Sequence, residues 1–193
     1  IEAKKFSKEN DIPYISHNLS PYFSEGMKSF AYEIYNELKA IDHIIFPTGN
    51  GSLLLGTWRG YKDIMKSNKT NLPKLHVAQS KNIEPIVAKL NNKKWEFDVD
   101  KKTLASGISV SNPPRIDEII QAVESTKGEG VSCTDEEAII WHDILAKEEG
   151  IFSEITCAFV FPALKKLIKD KKIKKDDTVL LPITGSGLKE PIL

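Results

Sequence analysis

The feature that most constrains this sequence is a glycine-rich turn at residues 47–56, PTGNGSLLLG. It follows the apolar run 41–46, which predicts a short buried strand, and it precedes a helical pattern. A strand, a glycine turn and a helix together present free backbone N–H groups and a positive dipole end to an anion. Gly49 and Gly51 let the backbone approach that anion, and Ser52 adds a hydroxyl donor. The turn is a candidate phosphate site, although α/β proteins also use such turns without a ligand.

The composition narrows the choice of ligand. Lys+Arg and Asp+Glu are both 27 of 193 residues, so no net charge attracts nucleic acid or an anionic membrane. The turn lacks the Lys-Ser/Thr ending of a P-loop and the spacing of a dinucleotide motif, which disfavours nucleotides. Arginine is present only at Arg59 and Arg115, so bidentate recognition of phosphate has few sources. We therefore expect a small-molecule ligand.

The cysteines and histidines indicate no metal site. Cys133 and Cys157 are isolated in apolar contexts, which predicts buried free thiols in a reducing, cytoplasmic environment. His43 and His142 have no partners at ligand spacing, and we interpret them as packing histidines. No apolar stretch approaches membrane-spanning length, and no signal-peptide pattern appears.

Short apolar runs alternate with helical patterns along the chain. This predicts an α/β fold with three αβα layers, in which helices cover both faces of a mostly parallel twisted sheet. The length suits one large domain or a little more. Strands are predicted at 13–16, 41–46, 74–79, 130–133 and 177–182. Helices are predicted at 1–10, 27–39, 57–66, 84–90, 115–125, 135–147 and 155–169.

Two further glycine turns follow predicted strands or loops, at 105–107 and 184–187. Parallel sheets bind ligands beyond the carboxyl ends of their strands. If the strands are neighbours, both turns converge with residues 47–56 on one site. The Thr184 hydroxyl would then lie opposite the anion.

Several segments resemble blocks of the threonine synthases and their relatives. They are 25–34 (EG-x-K-T-x-A-Y-E-I in the family), 47–56 (the cofactor-phosphate loop), 103–113 (T-x-A-x-G-I…N-P), 148–154 (EEGIF-x-E) and 184–189 (TG-x-GLK). The blocks occur in the family's order across nearly the whole chain, and together they are highly specific. The chain thus resembles the tryptophan-synthase-β-like group of pyridoxal-phosphate enzymes, fold type II.

The resemblance implies a cofactor site for pyridoxal 5'-phosphate. By it, Thr184 hydrogen-bonds the pyridine nitrogen and Ala105 lines the ring. A hydroxyl partner leaves that nitrogen largely neutral, which suits elimination and replacement at the β or γ carbon of an amino acid. Family members act on small amino-acid substrates and are commonly homodimers. The cofactor phosphate is held by the backbone of Gly49, Asn50, Gly51, Ser52 and Leu53.

One departure concerns activity. The family's Schiff-base lysine lies in an N-terminal block resembling S-x-K-D-R, and these 193 residues contain no such block. The chain also begins at Ile1 within a helical pattern. We interpret it as the C-terminal part of a longer enzyme and expect it to be inactive alone. Residues 1–22 would end the smaller N-terminal domain, and residues 23–193 would form the large cofactor-binding domain.

A second departure concerns the substrate. Threonine synthases convert O-phosphohomoserine and water to threonine and phosphate, and many read N-S-x-N-P-Y-R where residues 17–23 stand here. Phe23 replaces the arginine, which removes a charge-assisted contact to phosphate. His17, Asn18 and Lys28 are weaker substrate-binding candidates, and Lys28 also suits a structural role. A cysteate synthase-like enzyme, a threonine dehydratase-like lyase and a non-catalytic binding module stay open.

Overall fold

A parallel four-stranded sheet forms the centre of the computed structural model, which describes residues 2–38, 40–68 and 70–189. The strand order is β3-β2-β1-β4, and every neighbouring pair is parallel. The predicted α/β class is confirmed. The strands are β1 (His43–Pro47), β2 (Lys74–Ser80), β3 (Gly130–Cys133) and β4 (Val179–Leu180).

Helices follow or precede each strand. Within the described ranges, no helix is both long enough and apolar enough to cross a membrane. Two 3-10 turns, Ser106–Ile108 and Gly187–Lys189, lie in the connecting segments. The helices are α1 (Glu2–Glu9), α2 (Pro21–Gly26), α3 (Lys28–Leu38), α4 (Ser52–Ser67), α5 (Pro85–Leu90), α6 (Ile116–Ser125), α7 (Asp135–Glu148), α8 (Ile155–Ala158) and α9 (Val160–Lys169).

Two hydrophobic clusters cover the two faces of the sheet. Successive strand residues point to opposite faces, so Ile44 and Phe46 join one cluster while Ile45 joins the other. The first cluster includes side chains of α3, α4, α5 and α6, and the second includes side chains of α7, α8 and α9. The sheet is therefore buried on both sides, as its nearly continuous apolar strands require.

Several predicted boundaries were wrong. Residues 13–16 form no strand, and Ile15 is 87% exposed, because no neighbouring strand pairs with this segment. Helix α4 begins at Ser52 rather than at residue 57, because Gly51 ends the turn in a left-handed conformation. The long helix predicted at 155–169 is divided at Phe159 into α8 and α9.

The remaining segments differ less. β4 has only two residues of the predicted 177–182, and the short helix α2 precedes the helix predicted at 27–39. Residues 39 and 1, at which two helices were predicted to end or begin, lie outside the described residues. The other helices and strands are within a few residues of their predictions.

A buried hydrogen-bond relay crosses the amino-terminal end of the sheet. The Glu129 amide donates to Nδ1 of His76 at 3.1 Å, which leaves the proton of neutral His76 on Nε2. That Nε2 lies 2.9 Å from Nδ1 of His43, and Nε2 of His43 lies 3.0 Å from the Asp177 carboxylate. Both rings are 1% exposed. His43 is thus part of a polar relay, which packing alone would not require.

Strand β1 marks the point at which the chain changes direction across the sheet. The chain passes from β1 through α4 to β2 on one side, and returns later as β4 on the other side. Ligands of open α/β sheets bind outside the carboxyl ends of the strands at such a switch point. Residues 48–51, here called the β1–α4 turn, leave β1 at this place.

Candidate active site

The β1–α4 turn presents the amino terminus of a 16-residue helix to the switch point. Gly51 precedes α4 with a φ of 73°, a conformation that L side chains adopt rarely. The first intrahelical bond runs from the Leu55 amide to the Gly51 carbonyl at 2.9 Å. The amides of Ser52, Leu53 and Leu54 precede that bond, and a helix leaves such groups without intrahelical partners. They can hold an anion.

The buried side chain of Gln79 holds the β1–α4 turn in position. Its Nε2 donates to the Thr48 carbonyl at 3.0 Å, and its Oε1 accepts the amides of Ile86 and Val87, each at 3.0 Å. The Thr48 amide also donates to the Ala78 carbonyl at 3.0 Å. Gln79 is fully buried, so one side chain links the turn to β2 and α5.

We expect Gln79→Leu to lower the free energy of unfolding by about 2–4 kcal/mol, because it leaves buried backbone groups unpaired. Urea denaturation followed by circular dichroism measures this change. Gln121→Leu, at an exposed position of α6, is the matched control and should change stability by less than about 0.5 kcal/mol. Equal stabilities of the two variants would contradict the role of Gln79.

The 3-10 turn Ser106–Ile108 packs against the β1–α4 turn. A Cβ added to Gly49 would lie 2.8 Å from the Gly107 carbonyl oxygen and 3.0 Å from Cγ2 of Val110. Only glycine permits this approach of the two backbones. Ala105, the residue predicted to line the cofactor ring, precedes this turn and is fully buried.

Thr184 is held by α8 on the other side of the switch point. Its amide donates to Sγ of Cys157 at 3.2 Å, and its Oγ1 lies 3.6 Å from the same sulfur. The preceding residue of α8, Thr156, accepts the Gly107 amide on Oγ1 at 3.1 Å. One short helix therefore connects the 105–107 and 184–187 turns.

A cavity of about 240 Å³ lies along the β1–α4 turn. Its lining includes residues 46–54, Gly107 and two residues of the N-terminal segment, His17 and Phe23. The two rings are in edge-to-face contact, with centroids 5.4 Å apart. Asn50 has a buried Oδ1 without a hydrogen-bond partner among the described residues. The close glycine backbones and the helix amides together fit a bound phosphate group. The Asn50 oxygen is an acceptor, so it requires a donor rather than the phosphate.

The other predicted substrate residues lie outside this cavity. Asn18 lines a neighbouring cavity of about 410 Å³, which Asn50 also borders. Nζ of Lys28 lies 2.6 Å from Glu25 and 2.9 Å from Asp63 on the outer side of α4. These carboxylates raise the pKa of Lys28, and the pKa of Asp63 falls to about 2. Lys28 is therefore held in ion pairs with α2 and α4, and Asp63 lies eleven residues along α4 from Ser52.

Comparisons with known proteins agree with this fold. Residues 1–185 match the family described as pyridoxal-phosphate dependent enzyme. The threonine synthase of Methanocaldococcus jannaschii is 32% identical over 98% of this chain and 48% of that protein. The threonine synthase of Halalkalibacterium halodurans is 30% identical over 98% of this chain and 52% of that protein. The chain thus spans about half the length of these relatives.

Solved structures share the fold at lower identity. Maize serine racemase has a TM-score of 0.77 and 17% identity, covering 95% of this chain and 56% of its own. Threonine deaminase isoform 2 from Solanum lycopersicum has a TM-score of 0.74 and 16% identity, covering 95% of this chain and 51% of its own. These structures show that the chain has the fold of an open, parallel α/β sheet shared with them. The chain belongs to the pyridoxal-phosphate dependent enzyme family.

The family uses pyridoxal phosphate, which confirms the predicted cofactor. Sequence reasoning identified the three turns but missed Gln79, Thr156 and Cys157, whose side chains hold them. No local pattern distinguishes a buried glutamine or threonine that supports a turn from one that only packs.

Proposed function

We propose that this chain is the cofactor-binding, C-terminal part of a threonine synthase, which converts O-phosphohomoserine and water to threonine and phosphate. Residues 23–193 form the large domain, and residues 1–22 end the smaller one. The chain lacks the Schiff-base lysine and is inactive alone. The curated threonine synthases that match it over half their length support this assignment.

One observation carries the proposal. The β1–α4 turn contacts Gly107, Gly107 contacts Thr156, and Cys157 beside it contacts Thr184. This continuous path of contacts brings the predicted phosphate end and ring end of the cofactor site to one edge of the sheet. Gly49, Asn50, Gly51, Ser52 and Leu53 would hold the phosphate, with Ala105 and Thr184 near the ring.

Bound pyridoxal phosphate supplies an electron sink that stabilises negative charge on the carbon skeleton of an amino acid. The residues of this chain would orient it. The helix amides would hold its phosphate, and the Thr184 hydroxyl would offer the ring nitrogen a partner without the charge of a carboxylate. A neutral ring nitrogen favours elimination and replacement over other reactions of the same cofactor.

Phe23 favours a second candidate, a dehydratase-like lyase that acts on threonine or serine. Its ring lines the cavity where the family resemblance expects an arginine, and it is 40% exposed. A phenyl ring provides no charge-assisted contact for a substrate phosphate. The His17 ring contacts Phe23, and its ring nitrogen is a polar group beside the position where the arginine is missing.

Assays of the enzyme that includes the upstream S-x-K-D-R-like segment separate these candidates. We expect threonine and phosphate from O-phosphohomoserine. Release of ammonia from threonine or serine would instead indicate the dehydratase-like lyase, and consumption of phosphoserine would indicate a cysteate synthase-like enzyme. If the upstream segment contains no such lysine, the non-catalytic module becomes the better assignment. The 193-residue chain serves as the inactive control.

A further inference from the structure

We propose that Thr156 and Cys157 are positioning residues that hold the ring end of the cofactor site in register with its phosphate end. They are consecutive residues of α8, and each contacts a different turn of the site. The inference rests on the proposed cofactor site and adds the elements that set its dimensions. Neither residue needs to touch the cofactor for this role.

Cys157 determines where Thr184 lies. The thiol is buried, and its sulfur accepts the Thr184 amide at 3.2 Å, while the Gly185 carbonyl lies 3.9 Å away. Burial raises the pKa of this thiol, so it stays neutral and keeps its proton for donation. Thr184 itself is exposed at the sheet edge, and this sulfur is thus a principal anchor of its backbone.

Thr156 determines where the 106–108 turn lies. Its Oγ1 accepts the Gly107 amide at 3.1 Å, and its Cγ2 would lie 3.1 Å from a Cβ added to Gly107. The Gly107 carbonyl in turn faces Gly49 across a close backbone approach. A displacement of Thr156 would therefore be transmitted to the β1–α4 turn.

The packing around α8 prevents the ring-end turn from moving inward. A Cβ on Gly185 would lie 2.3 Å from the carboxylate carbon of Glu154, and the Glu154 amide donates to the Gly185 carbonyl at 3.0 Å. Both sides of the 184–185 turn are thus in contact with α8 or the residue before it. The 184–185 turn can then move only outward, and that movement breaks the Cys157 contact.

Cys157→Ser and Thr156→Val test this inference with the full chain. The serine oxygen reaches less far than sulfur and loses the Thr184 amide, and valine keeps the shape of threonine without the acceptor. Pyridoxine 5'-phosphate is the probe, because it lacks the aldehyde and cannot react with the lysines of this chain. Calorimetry gives its affinity, and the ¹⁵N chemical shift of its ring nitrogen reports the Thr184 contact.

Matched control variants are available at the other parts of the sheet. Cys133→Ser changes a cysteine that is equally buried but lies at the end of β3. Thr126→Val removes a hydroxyl that accepts the Leu75 amide at 3.1 Å, the same kind of bond at the start of β2. Each control should lower the melting temperature as much as its counterpart.

We expect each α8 variant to bind the probe about tenfold more weakly or worse, which corresponds to about 1.4 kcal/mol, while both controls bind as the unmodified chain does. In Cys157→Ser the ring ¹⁵N shift should also move toward that of the free probe. Unchanged affinity and shift in the α8 variants would overturn their positioning role and leave the cofactor site standing. Failure of the unmodified chain to bind the probe would overturn both.

Discussion

Replacing Gly49 with alanine should weaken the binding of pyridoxine 5'-phosphate by about tenfold or more. The new methyl group would lie 2.8 Å from a backbone oxygen, that of Gly107, which cannot rotate away as a side chain could. The two turns must separate, which disturbs the Gly107 bond to Thr156. The expected loss of folding stability is about 1–3 kcal/mol, as for other overpacked positions. Calorimetric titration and urea denaturation of the same samples measure both quantities.

Gly26→Ala is the control for this experiment. A Cβ at Gly26 meets no atom within 4 Å, and the residue ends α2 away from the cavity. We expect unchanged affinity in this variant. If Gly49→Ala bound the probe as tightly as Gly26→Ala, the close backbone approach would not be needed for the phosphate site.

Lowering the pH should destabilise the chain already at pH values where the carboxylates are still ionised. Burial lowers the pKa of His76 to about 3, and burial also lowers the pKa of His43. A histidine with a lowered folded pKa binds more protons when unfolded, so its stability contribution is complete above about pH 6.5 and is lost as the pH falls. From pH 6.5 toward 3, His76 alone should remove about 1.4 kcal/mol per pH unit.

The charged residues around the histidine relay affect stability in a different range of pH. The carboxyl of Asp177 has a lowered pKa, first because the Lys174 amide donates to it and then because His43 does, so its contribution is lost only below about pH 4. Lys74 disfavours protonation of both rings, and Lys172 adds to this at His76, while Asp42 favours protonation of His43. Glutamates with lowered pKa values contribute below about pH 5, so the decline between pH 6.5 and about 5 belongs to the histidines.

His76→Leu separates this titration from the rest of the chain. It should lower the free energy of unfolding at pH 7.5 by about 2–4 kcal/mol, because the Glu129 amide and Nδ1 of His43 lose their partner. Its stability should also depend less on pH between 6.5 and 4. His142→Gln, outside the relay, is the control. A pH dependence in His76→Leu equal to that of the unmodified chain would contradict this account.

Much of the site could be predicted from local sequence. A chain that leaves a strand and enters a helix around an anion needs glycines such as Gly49 and Gly51. The turn can therefore be recognised from a short stretch of sequence. The apolar runs at β1 and β2 likewise marked strands buried on both faces. The family blocks added the order of the turns along the chain.

Long-range partners could not be predicted in the same way. Cys157 and Thr184 are 27 residues apart, and His43 and Asp177 are 134 residues apart. Which polar side chain meets which backbone group depends on the sheet order, and no single segment contains that information. The predicted strand at 13–16 failed for the related reason that a strand requires a partner.

The sequence by itself determined that this chain builds a parallel sheet with a glycine turn before a helix, because glycine placement and apolar periodicity act over a few neighbouring residues. Only the tertiary structure decided that β1 stands at the switch point, that α8 joins the 105–107 and 184–187 turns, and that two histidines form a relay at the opposite end. These features depend on hydrogen bonds between residues brought together by folding, which are specified by geometry rather than by neighbouring sequence.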